Sequence, residues 1–209
     1  MGTRAAGVAL FLPVPLVLAL FTRQPLGARA SLALGVALML THRLYARPWA
    51  LARADRRCLW CAGAVTSGPA LELSEPFGST TWRACSEDHL RRLRRVLGWA
   101  SRHPLLLKLG ILGALAAFLV GAALASGARG PAMDDWVAGF RLAIALTVLS
   151  LALLGPRAEP VEDDPLALPF PVHIQALIST AWVLWLFRVI GCVWLVQGAG
   201  QALRRLGAL

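Results

Sequence analysis

The chain has 209 residues, of which 57% are hydrophobic and only 15% charged, against roughly 25% charged in an average soluble domain. Too few polar residues remain to cover a core of this size with a water-facing skin, which excludes an ordinary soluble class. The net charge of +10 admits a nucleic-acid partner, but cytoplasmic loops of membrane proteins concentrate positive charge anyway, so nucleic acid is the least favoured partner.

The apolar residues come in blocks, and five of these are expected to enter a bilayer. The first runs Ala5–Phe21 between Arg4 and Arg23. The second runs Ala30–Leu40 and extends to Tyr45, between Arg29 and Arg47. The third is Pro104–Ser126, interrupted by Lys108; the fourth is Trp136–Leu154, with Arg141 near its start; the fifth is Pro169–Val196, with Arg188 inside it. A crossing takes about 20 mostly apolar residues. Segments three to five meet that requirement, and the first two are short. Ala28-Arg29-Ala30 has the small-x-small form of a leader cleavage site. It lies well beyond Phe21, so the first segment is expected to be retained.

Three parts follow: residues 1–47 with two membrane helices, a basic insert at 48–103, and residues 104–209 with three more helices. His42–His103 holds 11 arginines against five acids, which places the insert in the cytoplasm by the positive-inside rule. Strict alternation then puts 127–135 outside and 155–168 inside. Arg23, Arg29, Arg204 and Arg205 fit that arrangement poorly. The 155–168 segment is acidic and Pro-rich, and it reads as an extended, mobile, solvated linker rather than a partner of the basic insert.

Cys58-Leu59-Trp60-Cys61 and Cys85-Ser86-Glu87-Asp88-His89 carry the one recognisable chemistry. The first pair presents two thiolates from one tight turn. The second places Cys and His four apart on one face of a helix, with Ser86 as N-cap and acids in the first turn. Four N/S donors satisfy tetrahedral Zn²⁺ with no open position, as in a structural zinc site. A c-type haem would need His after Cys61, where Ala62 stands, and a reducing cytoplasm disfavours a disulfide. Between the pairs, Ala64–Glu75 reads as two short strands around Thr66-Ser67-Gly68-Pro69, and a turn at Pro76-Phe77-Gly78 leads to Thr80-Thr81-Trp82.

Cys58-x-x-Cys61 with Trp82-Arg83-Ala84-Cys85-Ser86-x-x-His89-x-Arg91 resembles the treble-clef zinc fingers over about residues 56–97. Ala84 replaces their aromatic, with Trp82 as its substitute, and Ala62 replaces a glycine. The resemblance implies a zinc-stabilised mini-domain and no activity, because such clefts serve many functions. The fold class is thus mostly α: a polytopic transmembrane helical protein of about five membrane segments with a small cytoplasmic α+β treble-clef-like zinc domain.

Past the site, Leu90, Leu93, Val96 and Leu97 line one face of a helix expected from Ser86 to about Ser101. Arg91, Arg92, Arg94 and Arg95 form a candidate membrane-surface patch for anionic lipid, with Arg102 beyond. The plainer reading is an apolar face packed on the hairpin and arginines that merely obey the positive-inside rule. In the third segment Gly113, Ala117, Gly121 and Ala125 make a small-residue stripe for helix packing, expected to meet a helix of the same chain. Cys192 reads as a small buried hydrophobe. His42, His103 and His173 read as interfacial histidines, and haem is not expected. Arg188, about 26 Å along a helix starting near Pro169, is expected at the outer surface beside Asp134 or Asp135, or snorkelling with Arg141. No acid lies within a span, and no Gly-rich phosphate loop, Ser/His/Asp set or H-E-x-x-H occurs. The functional expectation is a non-enzymatic membrane subunit or adaptor in the plasma or inner membrane, docking a protein partner or larger membrane complex. A membrane enzyme or transporter with its site among the helices is the alternative.

Overall fold

The computed structural model describes residues 40–41, 44–45, 47–76, 78–125 and 131–205. The first two apolar segments lie almost wholly outside the described residues, as does His42. The chain is mostly helical, and it divides into two compact units. The first draws on the described residues up to Leu93 and on Phe170–Val183; the second comprises Arg94–Pro169 and the chain from Leu184 onward.

In the first unit, helix α1 (Arg47–Leu51) precedes the antiparallel hairpin of β1 (Ala70–Glu75) and β2 (Gly78–Arg83). The pairing runs from Ala70 opposite Arg83 to Glu75 opposite Gly78. The hairpin turn therefore falls between Glu75 and Gly78, where Pro76 cannot continue the ladder and Gly78 supplies a φ of 127°. The turn expected before Thr80-Thr81-Trp82 is thus present, whereas the two strands expected around Thr66–Pro69 are not. That stretch leads into β1, and Ala64 makes only an isolated bridge to Arg57. Alternation along β1 turns Leu71 and Leu73 inward. They join Leu59, Trp82 and Leu93 as fully buried side chains.

Helix α2 (Glu87–Arg102) follows at once, with acids Glu87 and Asp88 in its first turn. Ser86 caps it, its Oγ accepting the His89 N–H at 3.3 Å. Helix α6 (His173–Ile178) packs against α1 around Ala50 and Ile178, and it stops at Ser179. The last helix, α7 (Thr180–Arg205), starts there. The fifth apolar segment is thus not one helix from Pro169, because Pro169 and Pro171 precede a break at Ser179, whose φ is 109°.

The second unit is built on apolar helices. Helix α3 (Pro104–Lys108) passes through a π turn at Leu109–Gly113 into α4 (Ala114–Ala125), and α5 (Pro131–Leu154) is followed by a 3₁₀ turn at Gly155–Arg157 and a two-residue strand β3 (Leu166–Ala167). Three helical runs among the described residues are long and apolar enough to cross a membrane: Pro104–Gly121, Asp134–Arg157 and Thr180–Arg205. The chain is therefore compatible with a membrane protein.

Glycines set the helix contacts by letting the backbones approach closely. A Cβ on Gly110 would fall 1.9 Å from Thr147 Oγ1, and one on Gly121 would fall 2.1 Å from the Trp136 ring. One on Gly191 would sit 2.6 Å from Leu149, and one on Gly198 2.8 Å from Leu142. The α3–α4 run and the second-unit part of α7 therefore each lie antiparallel to α5. Phe118, Phe140 and Trp194 link the three, with centroids 5.0 and 6.0 Å apart.

The packing stripe needs correction. Gly121 does meet a helix of the same chain, but Ala117 is exposed, and a Cβ on Gly113 would meet only its own helix's Leu109, at 3.9 Å. The Ala125 side chain lies outside the described residues. Strict four-residue spacing overshoots a full turn at each step and winds about 120° round the helix over three steps. The contact face is instead Leu107, Gly110, Ala114, Phe118 and Gly121, at spacings of three, four, four and three.

Arg188 departs further from expectation. Its Nε and an Nη donate to the Ala152 carbonyl oxygen at 3.1 and 2.9 Å, in the last turn of α5. Asp135 takes Arg205 instead, at 3.1 Å, and Arg141 donates to Gln201 at 3.2 Å. Because α7 starts at Thr180, Arg188 lies only about 12 Å along it. Cys192 is exposed rather than buried.

The 155–168 segment is not a free linker. An Nη of Arg94 donates to the Val161 carbonyl at 2.9 Å, and the other reaches the Asp164 carboxylate at 2.7 Å. Val161 fills the space over Gly98, where a Cβ would approach it to 2.4 Å. Leu166 and Leu168 are buried as well. The contact between acidic segment and basic helix, which the sequence reading set aside, is present.

Candidate metal centre

The knuckle is tied to the end of β2. Leu59 N–H donates to the Arg83 carbonyl at 3.0 Å, and Cys58 bridges Arg83 in parallel. Two residues after Arg83 the chain reaches Cys85, and the first turn of α2 then delivers His89. Each ligand thus arrives by the shortest path from a hydrogen-bonded element. Gly68 permits the return of the chain, since a Cβ there would fall 2.2 Å from the Ala84 carbonyl oxygen.

Within the knuckle, Cys58 N–H donates to Gly63 O at 2.9 Å, Ala62 N–H to Cys58 O at 2.7 Å, and Gly63 N–H to Cys61 Sγ at 3.4 Å. Ala62 occupies the left-handed region at φ 58°, where a non-Gly residue costs about 1–2 kcal/mol. It takes the glycine conformation without being glycine.

The four donor atoms of Cys58, Cys61, Cys85 and His89 lie within 4.8 Å of one another. Cys61 and Cys85 Sγ are 3.9 Å apart, Cys58 Sγ and His89 Nδ1 3.6 Å, and Cys85 Sγ and His89 Nδ1 3.0 Å. Tetrahedral zinc with bonds of about 2.3 Å to sulfur and 2.0 Å to nitrogen spaces its ligands about 3.8 Å (S to S) and 3.5 Å (S to N). Two of the distances match, and the third is short by half an ångström or so on that scale. A disulfide would require about 2.05 Å. The set could hold a metal ion, and three sulfurs with one imidazole suit zinc rather than a hard cation such as calcium or magnesium.

The thiols are not equivalent. Burial by itself would push Cys58 up, but backbone N–H groups of Cys61, Cys85 and Trp60, helped by the Cys61 side chain, outweigh it and hold the thiol below its ordinary value. Cys85 is raised to about 11 by desolvation, by hydrogen bonding to Cys58 and by the negative charge of its sulfur neighbours. A cluster of thiols that resist joint ionisation is one that a dication stabilises.

Around the centre, Trp60 lies 6.4 Å from the His89 ring, and the Arg92 guanidinium stands 5.9 Å from the Trp60 centroid. The four candidate surface arginines differ from one another. Arg91 and Arg95 are exposed, Arg92 pairs with Asp88 at 2.9 Å, and Arg94 is turned to Asp164 with its side chain only 15% exposed. His103 stacks on Trp99 at 4.4 Å and directs Nδ1 at the Trp99 carbonyl, 2.9 Å away. The His173 side chain lies outside the described residues.

Sequence reading missed one set of residues at this site. Thr180 N–H and Oγ1 both donate to the Leu59 carbonyl, at 3.0 and 2.9 Å, and Ala181 N–H donates to the Trp60 carbonyl at 3.1 Å. A Ser-Thr pair opening an apolar run was the available signal, as an N-cap motif. Its partner across the sequence was not readable.

At the far ends of α5 and α7, a cavity of about 630 Å³ is lined by Asp134, Asp135, Gln201, Arg204 and Arg205. Its charges face one another, as in the Arg205–Asp135 pair, and no nucleophile stands among them. Compared with models of protein families, with curated proteins and with solved structures, the chain matches none.

Proposed function

We propose that the chain is a non-enzymatic integral membrane subunit or adaptor. Its zinc-pinned, treble-clef-like module faces the cytoplasm of a plasma or inner membrane and docks a protein partner or a larger membrane complex. The observation that carries this reading is the closed four-donor cluster. With three thiolates and one imidazole the coordination shell is filled, so zinc there stabilises a small polar module rather than activating water. The order of knuckle, hairpin and helix, with the second ligand pair at the helix start, supports the treble-clef description. The three long apolar helices support the membrane assignment. Exposed Arg91 and Arg95 give the module a basic face suited to anionic headgroups, each such residue contributing about 1 kcal/mol near a charged leaflet.

The test is metal analysis of detergent-purified full-length protein beside its native mass. About one zinc per chain, with a protein companion at fixed stoichiometry, is the expected result. Purification of the chain by itself, free of zinc, would overturn it.

A further inference from the structure

We propose that the metal centre caps the last membrane helix, so that metal loading is transmitted to the start of α7. The proposal rests on the zinc reading above and adds a consequence that reading does not contain.

Leu59 and Trp60 are the two residues between ligands Cys58 and Cys61. Their carbonyls accept three hydrogen bonds from the first residues of α7: Thr180 N–H at 3.0 Å, Thr180 Oγ1 at 2.9 Å and Ala181 N–H at 3.1 Å. Ser179 completes the cap, its Oγ accepting Trp182 N–H at 3.1 Å and its carbonyl accepting Val183 N–H at 3.0 Å. The first N–H groups of any helix lack partners inside the helix. At the edge of a bilayer, where water is scarce, leaving them unsatisfied is expensive. Here the knuckle supplies the acceptors. Thr180 and Ser179 are both buried, so water does not replace it.

Backbone strain marks both sides of this contact. Among the described residues, only Ala62 and Ser179 combine a side chain with positive φ, at 58° and 109°. One closes the knuckle and the other opens the helix. Such conformations persist only where surrounding structure over-determines them, and they cluster at switches. The thiolate–metal bonds of Cys58 and Cys61 are what would fix the peptide planes of Leu59 and Trp60. Without metal the knuckle keeps its own few hydrogen bonds and the tie of Leu59 to Arg83, but its far end at Cys61 and Ala62, which that tie does not reach, is free to leave the left-handed region. The acceptors then lose their aim, and Ser179 loses what holds it. The cation recognised is a soft divalent ion of zinc's type, as the sulfur-rich donor set requires.

Hydrogen exchange followed by mass spectrometry on the full-length protein in lipid nanodiscs tests this. One sample is zinc-loaded, one is stripped with a chelator, and one is stripped and reloaded. Stripping is expected to accelerate exchange of the Thr180–Val183 amides at least about tenfold, reversed by reloading, with Ala145–Val148 of α5 unchanged. Thr180→Val, which keeps every metal ligand, is expected to retain full zinc stoichiometry. It should release zinc faster to a competing chelator, because coupling between two sites is reciprocal. Zinc that binds and leaves without changing exchange at 180–183 would overturn this inference and leave the zinc site standing. Failure to take up zinc at all would overturn the site, and this inference with it.

Discussion

Arg94 and Asp164 are ion-paired at 2.7 Å across 70 positions of sequence, and the same guanidinium holds the Val161 carbonyl. One arginine of the basic helix thereby turns an acidic, Pro-rich stretch into a packed strap. Removing it is expected to free that stretch. Arg94→Ala should raise the rate of limited proteolysis between 158 and 165 several-fold. A charge-assisted hydrogen bond contributes about 1.5–3 kcal/mol. Gly98→Val should do the same by expelling Val161. Unchanged cleavage in both variants would mean that the strap is held elsewhere.

Cys61→Ser and His89→Ala are each expected to cut the zinc content of purified protein to a small fraction of wild type and to make the knuckle protease-sensitive. Elemental analysis reads the first effect, and the fragment pattern reads the second. Full zinc occupancy in both would rule out the four-ligand site.

Zinc uptake is expected to expel protons. Cys85 is raised to about 11, so through the neutral range it carries its proton in the metal-free protein and must lose it to ligate. Affinity should therefore climb with pH from acid through neutral and flatten only as pH approaches that value. Titration calorimetry in buffers of different ionisation enthalpy reads the proton count directly. Identical heats in all buffers would contradict it.

Gly121→Leu is expected to destabilise the detergent-solubilised protein by about 1–3 kcal/mol, since the added side chain must displace the Trp136 ring. Gly113→Leu, a change of equal size about two helical turns away, meets only its own helix's Leu109 at ordinary contact distance and should stay within about 0.5 kcal/mol. Thermal unfolding of the two variants side by side separates a contact face from a merely small one.

The legible parts of this chain were those governed by local chemistry. The four metal donors could be found because Cys-x-x-Cys and Cys-x-x-x-His fix their own geometry through one turn and one helical face. Ser86 was readable as a cap, and segments three and four as apolar helices. What escaped was set by tertiary contacts. The turn before Thr80-Thr81-Trp82 was legible, but Thr66–Pro69 offers turn residues just as good, and only the pairing of Ala70–Glu75 with Gly78–Arg83 shows that no second hairpin forms there. The stripe at Gly113 and Ala117 was regular in sequence, yet Gly110 was the residue that met α5, because strict four-residue spacing drifts round the helix while a contact face mixes steps of three and four. Arg188 was placed from a helix start at Pro169. A residue with positive φ at Ser179 moved that start by a third of the segment's length, and no local pattern announces such a break.

The bond from Arg188 to the Ala152 carbonyl bears on how this protein is made. An arginine placed mid-helix costs about 2.5–3.5 kcal/mol during insertion at the translocon, and its acceptor lies on a helix synthesised earlier. On the membrane reading proposed above, Thr180–Arg205 therefore enters the bilayer on better terms when α5 is already there to receive it, and the two behave as one unit of biogenesis. Glycosylation-site reporters should show Thr180–Arg205 integrating poorly by itself and efficiently behind α5, with Arg188→Leu abolishing the difference. On the same reading, the knuckle's contact with Thr180, 121 positions further along the chain, waits on that helix as well.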